Sequence, residues 1–226
     1  MAHRTLVAES ATPDRESLTL TTEQGHHVVR VRGEVLMSSR VSGSEEALAR
    51  LAFSDRPNSE LSQVLVGGLG MGFTLRAVLD ELGPTARIDV LELLAPVVEW
   101  NRGPVAAYAG QPLDDPRVAI IVRDVLAHLM GGAHTYDGIV LDIDNGPEAF
   151  TVAANSRLYS PSGLAILYAA LRPGGVMVLW SAFRSTRFEQ LLRGAGFSAT
   201  SVTVRARGAA GKGARHTVFR AIRPTA

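Results

Sequence analysis

Between residues 63 and 222 two kinds of apolar run take turns. Residues 63–66, 87–91, 117–122, 136–141 and 176–180 are short, rich in Val, Ile and Leu, and read as strands. Residues 73–82, 96–101, 125–130, 162–171 and 185–195 alternate with them and carry apolar residues at helical spacing. The helices have stop signals. Gly83-Pro84 follows the first, Gly131-Gly132 the third and Pro173-Gly174-Gly175 the fourth. Strands that are apolar throughout, separated by helices, predict a mostly parallel α/β sheet covered on both faces. The last strands, 202–205 and 217–222, read as a closing hairpin around the loop 208–213.

The first third is different. Residues 1–15 read as a lead-in without regular structure. Residues 18–22, 27–32 and 34–38 alternate as strands do, with turns at 23–26 and at Gly33, and predict a small β-meander packed on the α/β core. Ser42-Gly-Ser-Glu45 resembles a capping box, and Ala47, Leu48, Leu51 and Ala52 form one face of the helix that it opens. The division expected is 1–55, meander plus helix, and 56–226, the α/β domain. There is no repeat at a solenoid period.

Composition narrows the function classes. The chain has 226 residues and a net charge of +1, so no global field draws it to nucleic acid or membrane. It has no cysteine, which removes disulfides, thiolate zinc sites and a cysteine nucleophile. No apolar run is long enough to span a bilayer and the first residues lack the apolar core of a signal peptide, so a cytoplasmic protein is the expectation. His26, His27, His128, His134 and His216 show no metal-ligand spacing, and no metal is expected. After Glu189 no acid follows, whereas Arg193, Arg205, Arg207, Lys212, Arg215, Arg220 and Arg223 accumulate. The glycine-rich loop within this basic stretch is either a solvated loop or a gate that attracts an anionic group. No aromatic residues interleave with the charges, so nucleic acid is not the expected partner.

In parallel sheets ligands sit outside the carboxyl ends of the strands. There the chain places Gly67-Gly68-Leu69-Gly70-Met71-Gly72, then Glu92-Leu93, then Arg123-Asp124-Val125, then Asp142-Ile143-Asp144, then Trp180. A glycine turn running into a helix lets backbone approach a ligand such as a nucleoside. An acid about twenty residues later, here Glu92, is placed to take ribose hydroxyls. Asp124 suits two roles, an N-cap for the next helix or an acceptor for a base. Met71 contacts the ligand or fills a gap, and Trp180 walls an acceptor site or is plain core.

With those motifs the chain resembles the S-adenosylmethionine-binding domain of class I methyltransferases, and in particular its spermidine synthase (polyamine aminopropyltransferase) branch. The resemblance is carried by the glycine turn, Leu91-Glu92, Asp115-Pro-Arg-Val118 with Asp124, Tyr136-Asp137 leading to Asp142, Leu158-Tyr159, and Leu171-Arg-Pro-Gly-Gly175. It implies a Rossmann-like, doubly wound fold with a C-terminal β-hairpin and a small N-terminal β-meander. It implies a donor, S-adenosylmethionine or its decarboxylated form, held by Gly67, Gly68, Gly70, Met71, Gly72, Glu92, Leu93, Asp124, Val125 and Asp142. Asp142, Asp144 and Tyr159 are the implied catalytic set, Asp142 receiving the attacking amine. The implied partner is a small amine acceptor, and a homodimer is common in the branch.

The chain departs from that branch at Gly70, where the branch has an acid that holds the ammonium of the aminopropyl group. Its polyamine-holding acids also lack clear counterparts, although Glu45 and Glu46 lie in that neighbourhood and double as first-turn helix acids. The expectation from Gly70 is methyl transfer from intact S-adenosylmethionine to a small amine or similar nucleophile. Aminopropyl transfer from the decarboxylated donor is the alternative, and a non-catalytic nucleoside-binding protein the third reading.

Overall fold

The strand β5 (Gln63–Gly67) sets the frame. Its Val64, Leu65 and Val66 are fully buried, because the pleat sends Val64 and Val66 to one covered face and Leu65 to the other. The computed structural model describes residues 4–40, 43–53, 55, 62–130, 136–143, 146, 153–206 and 213–225.

Beside β5 lie β6 (Arg87–Glu92) on one side and β8 (Tyr136–Leu141) on the other, both parallel to it. Beyond β6 comes β7 (Val118–Val122), and beyond β8 comes β9 (Leu171–Ser181), also parallel. β10 (Ser198–Arg205) and β11 (Arg215–Ile222) close the sheet as an antiparallel hairpin, with β11 against β9. The order is β10-β11-β9-β8-β5-β6-β7. The chain winds outward from β5 to β7, then returns to the other side of β5. The carboxyl ends of β5 and β8 therefore part company, and a crevice opens between them.

Helices α1 (Gly43–Phe53), α2 (Phe73–Glu81) and α3 (Ala95–Arg102) cover one face. Leu48, Phe53, Leu75, Val78 and Val97 join Val64, Val66 and Val140 in one core. On the other face are α4 (Val125–Met130), α5 (Pro161–Ala170) and α6 (Thr186–Gly194). There Leu126, Leu164, Leu167 and Phe188 pack on Leu65, Ile139, Leu141 and Leu179. The doubly wound, mostly parallel sheet expected from the alternation is the one that forms.

A second, antiparallel sheet runs β1 (Arg4–Ala11), β2 (Ser17–Glu23), β3 (His26–Val31), β4 (Glu34–Ser38) in that order. The lead-in expected over 1–15 is corrected here, since β1 pairs with β2 from Arg4↔Glu23 to Ala11↔Ser17. β1 is an edge strand held by backbone hydrogen bonds, and its Leu6 and Val7 are exposed, so it has no buried face for a pattern to reveal. Leu18, Leu20, Val29 and Val31 of the meander join the core on the α1–α3 side.

Two of the quoted motifs turn out to lock the sheet at its amino edge, away from the crevice. Asp137 accepts from the amides of Ser62 and Gln63 and from Arg172, which ties β5, β8 and β9 together. Arg117 pairs with Asp115 and donates to the carbonyls of Leu82 and Gly83, pinning the start of β7 to the end of α2. That pairing holds the Asp115 carboxyl well below the usual range, at about 2.

Candidate active site

The crevice is built from the glycine turn after β5. Gly68 has φ of +90°, and a Cβ there would stand 2.2 Å from the Asp142 carbonyl oxygen. Only glycine allows this turn to lie so close to the end of β8. The Asp142 amide completes the contact by donating to the Gly67 carbonyl. Gly70 also has positive φ, yet its missing side chain faces open space, with Met37 Sδ at 3.8 Å the nearest atom to a Cβ. Gly72 is the N-cap of α2 in left-handed conformation.

Glu92 ends β6 with its carboxylate buried. One oxygen accepts from the Leu69 amide at 2.9 Å and the other from the Leu94 amide at 2.9 Å. Burial raises its pKa, and these amides pull the other way. The side chain thus fastens the glycine turn to the end of β6 and leaves lone pairs on both oxygens for a diol. Asp124 performs the capping role read from its position, its Oδ1 accepting from the Ala127 amide at 2.8 Å. The same residue lines the crevice, so capping does not remove it from the site.

A cavity of about 90 Å³ is lined by Gly68, Gly70, Glu92, Leu93, Asp124 and Val125, together with Asp142 and Leu158. Its apolar walls, Leu91, Leu93, Val125 and Ile143, suit the faces of a flat ring, and Glu92 and Asp124 suit hydroxyl and amino donors. The residues present therefore fit an adenine nucleoside. A second cavity of about 220 Å³ adjoins it and shares Leu36, Met37, Gly70 and Asp142 with it. Glu45, Met71, Phe73, Thr74 and Trp180 are also in its wall.

Asp142 stands where the two cavities meet. Thr74 Oγ1 donates to its carboxylate, and burial raises its pKa against that hydrogen bond. Glu45 lines the second cavity and accepts from Ser44 Oγ at 2.7 Å. Burial first, and then the charge of Asp142, push its pKa up to about 7.

The turn residues Gly67, Gly68, Gly70, Met71 and Gly72 are brought together with Glu92, Leu93, Asp124, Val125 and Asp142 at one end of the sheet. Asp144 lies outside the described residues, as do Ser42 of the expected capping box and most of the basic loop. Tyr159 lines neither cavity. Its hydroxyl donates to the Ile143 carbonyl at 2.8 Å and its ring packs edge-on to Phe188, so it supports the loop that carries Asp142.

Three contributors were not assigned from the sequence. Leu36 and Met37 of β4 wall both cavities, and Thr74 positions Asp142. A strand that reads as half-polar gives no signal that its inner face covers a ligand site. A threonine one residue into a helix looks like an N-terminal cap. Among the described residues no group of three His, Asp or Glu is disposed to hold a metal, and no helix is long and apolar enough to cross a membrane.

Known proteins resemble this arrangement. Residues 42–190 match the family model described as the spermine/spermidine synthase domain. The chain is 33% identical over 137 residues to the polyamine aminopropyltransferase of Mycobacterium tuberculosis, a stretch covering 59% of this chain and 24% of that protein. It is 29% identical over 133 residues to the polyamine aminopropyltransferase of Bacillus subtilis, covering 59% of this chain and 45% of that one. The matched stretches thus span less than half the length of these curated relatives. A crystal structure of spermidine synthase with the transition-state analogue AdoDATO shares the fold, with a TM-score of 0.77 and 19% identity over 98% of this chain and 75% of that one.

Proposed function

The chain belongs to the spermine/spermidine synthase family, and from that premise we propose that it is an aminopropyltransferase, moving the three-carbon amine of decarboxylated S-adenosylmethionine onto a small amine of the polyamine class. The observation that supports this reading is the position of Asp142, a carboxylate at the junction of the nucleoside-shaped cavity and an acid-lined one.

The chemistry asks little of the protein beyond placement. The acceptor nitrogen attacks the carbon bound to the positively charged sulfur. A C–N bond forms, the C–S bond breaks, and its electron pair returns to sulfur, leaving a neutral thioether. The leaving group needs no acid, so holding donor and amine in line supplies most of the acceleration. The attacking amine must be neutral and afterwards sheds a proton. Asp142, with a raised pKa, can hold that amine and take the proton. Glu92 and Asp124 hold the nucleoside, and Thr74 fixes the Asp142 carboxylate.

Methyl transfer, expected from Gly70, gives way here. The family match and the relatives concern aminopropyl transfer, and the cavity beside Gly70 is not short of acid, because Glu45 lines it. The test is to incubate the protein with a panel of diamines and either donor, and to follow nucleoside products. The expected outcome is 5′-methylthioadenosine from the decarboxylated donor. S-adenosylhomocysteine from the intact donor, with none of the thioether, would restore methyl transfer and reject this proposal.

A further inference from the structure

The second cavity holds two half-buried carboxyl groups and no described cation to balance them. Glu45 comes from the first turn of α1 and Asp142 from the end of β8. None of the ion pairs among the described residues involves either. Of the cations on the elements packed against α1, Arg215 of β11 is exposed and three others are paired elsewhere, and Arg123 lines the first cavity but not the second. Arg76 of α2 pairs with Asp80, Arg172 of β9 with Asp137, and Arg220 of β11 with Asp55. Arg205 of β10 donates to the Gly213 carbonyl, and His216 of β11 stacks edge-on to Trp180. The other charge that reaches Glu45 is its helix neighbour Glu46, of the same sign. Trp180, on the same wall, has a buried indole N–H without an acceptor. Two partly desolvated acids of like charge lining one cavity are costly, and a cation between them relieves both costs.

The second cavity gives the chain of a bound donor a place to go. The two cavities share Gly70 and Asp142, and Gly70 leaves the passage open. A substituent passing Gly70 from the nucleoside end enters the cavity lined by both acids. Resting on the aminopropyl reading above, we propose that Glu45 and Asp142 together grip the terminal ammonium of the donor's three-carbon chain, and that Glu45 is the residue that sets the preference for decarboxylated over intact S-adenosylmethionine. The intact donor ends in an ammonium and a carboxylate side by side, and its carboxylate meets two acids in a poorly solvated space. The decarboxylated donor brings only the positive charge. Glu45 thereby supplies from a helix the acid that the turn lacks at Gly70.

Binding of that ammonium also completes the ionisation of the pair, so the cavity gives up a proton as it fills. The raised pKa of Glu45, about 7, places this release near neutral pH.

Calorimetry on the full chain tests the assignment with three ligands: 5′-methylthioadenosine, which has no charged chain, decarboxylated S-adenosylmethionine, and the intact form. Glu45→Gln is expected to bind the thioether within a factor of about two of the wild type, since no charge pairs there. It should bind the decarboxylated donor roughly 10- to 100-fold more weakly, the loss of one charge-assisted contact. Glu45→Asp should recover part of that loss. Repeated near pH 7 in two buffers of different ionisation enthalpy, the wild type should release a proton on binding the decarboxylated donor, and Glu45→Gln should release less. Equal affinity of wild type and Glu45→Gln for the decarboxylated donor, with thioether binding intact, overturns the role of Glu45 and leaves the transfer reading standing. A wild type that binds none of the three overturns the transfer reading and this inference with it.

Discussion

Glu45 and Asp142 are carboxyl groups whose ionisation the fold opposes, and this has a sign that can be checked. Glu45 titrates near 7 when folded and near the ordinary 4.5 when unfolded. Between those values the folded chain binds more protons than the unfolded one, so stability falls as pH rises through that window. The span corresponds to about 3 kcal/mol for Glu45, and Asp142 acts in the same direction. Glu45→Gln should therefore raise Tm at pH 8 and leave it nearly unchanged at pH 4.5, which thermal unfolding at the two pH values measures. Asp115 works oppositely. Its folded pKa of about 2 lies below the ordinary 3.8, so its contribution is present above 3.8 and fades as pH falls towards 2. At the chemical step, Asp142→Asn should cut turnover roughly 10²- to 10⁴-fold while thioether affinity changes little, because Thr74 can still donate to the amide oxygen. Unchanged turnover would remove Asp142 from catalysis. Glu92, Asp124 and Asp142 were legible in the sequence because strand ends in a parallel sheet converge on one place. Glu45 was visible as an acid in the neighbourhood of the branch's polyamine-holding residues, with a first-turn helix acid as the other reading. Its function depends on which way a helix start faces, and that is settled by how α1 packs on β8, β9 and β11.

At the level of elements, the turn between β5 and α2 separates two kinds of glycine. Gly68→Ala combines a left-handed backbone with a methyl group 2.2 Å from a carbonyl oxygen on β8. A loss of about 3 kcal/mol or more is expected, with nucleoside binding abolished. Gly70→Ala meets only a flexible methionine, at 3.8 Å, and should cost about 1 kcal/mol from backbone conformation alone. Chemical denaturation distinguishes them, and similar losses at both sites would contradict the close approach of the turn to β8. The alternating strands and helices of the sheet were readable because β5, β6, β8 and the second half of β9 are buried on both faces, and β7, though partly exposed at the edge, is apolar throughout. β1 was not, because pairing alone holds it. The start of β9 at Leu171 was missed for a related reason: Pro173-Gly174-Gly175 signals the end of a helix more loudly than the beginning of a strand.

Across the whole molecule, the site joins two sheets. β4 belongs to the meander, yet its Leu36 and Met37 wall cavities whose floor is made by β5, β6 and β8. Met37→Ala should weaken nucleoside affinity about five-fold through lost apolar contact, with little change in Tm, since Met37 is only partly buried. Titration with 5′-methylthioadenosine checks this, and undiminished affinity would take β4 out of the binding surface.

The shared wall makes a bound nucleoside behave as a rivet. Unfolding of the meander alone would tear open the pocket, so with ligand present the two sheets must melt as one unit. At a ligand concentration 100 times Kd the added stability is about 2.7 kcal/mol. Amides of β2 and β3, more than thirty residues before the glycine turn, should then slow their hydrogen exchange as much as those of β5, and a spectator sheet would gain no such protection.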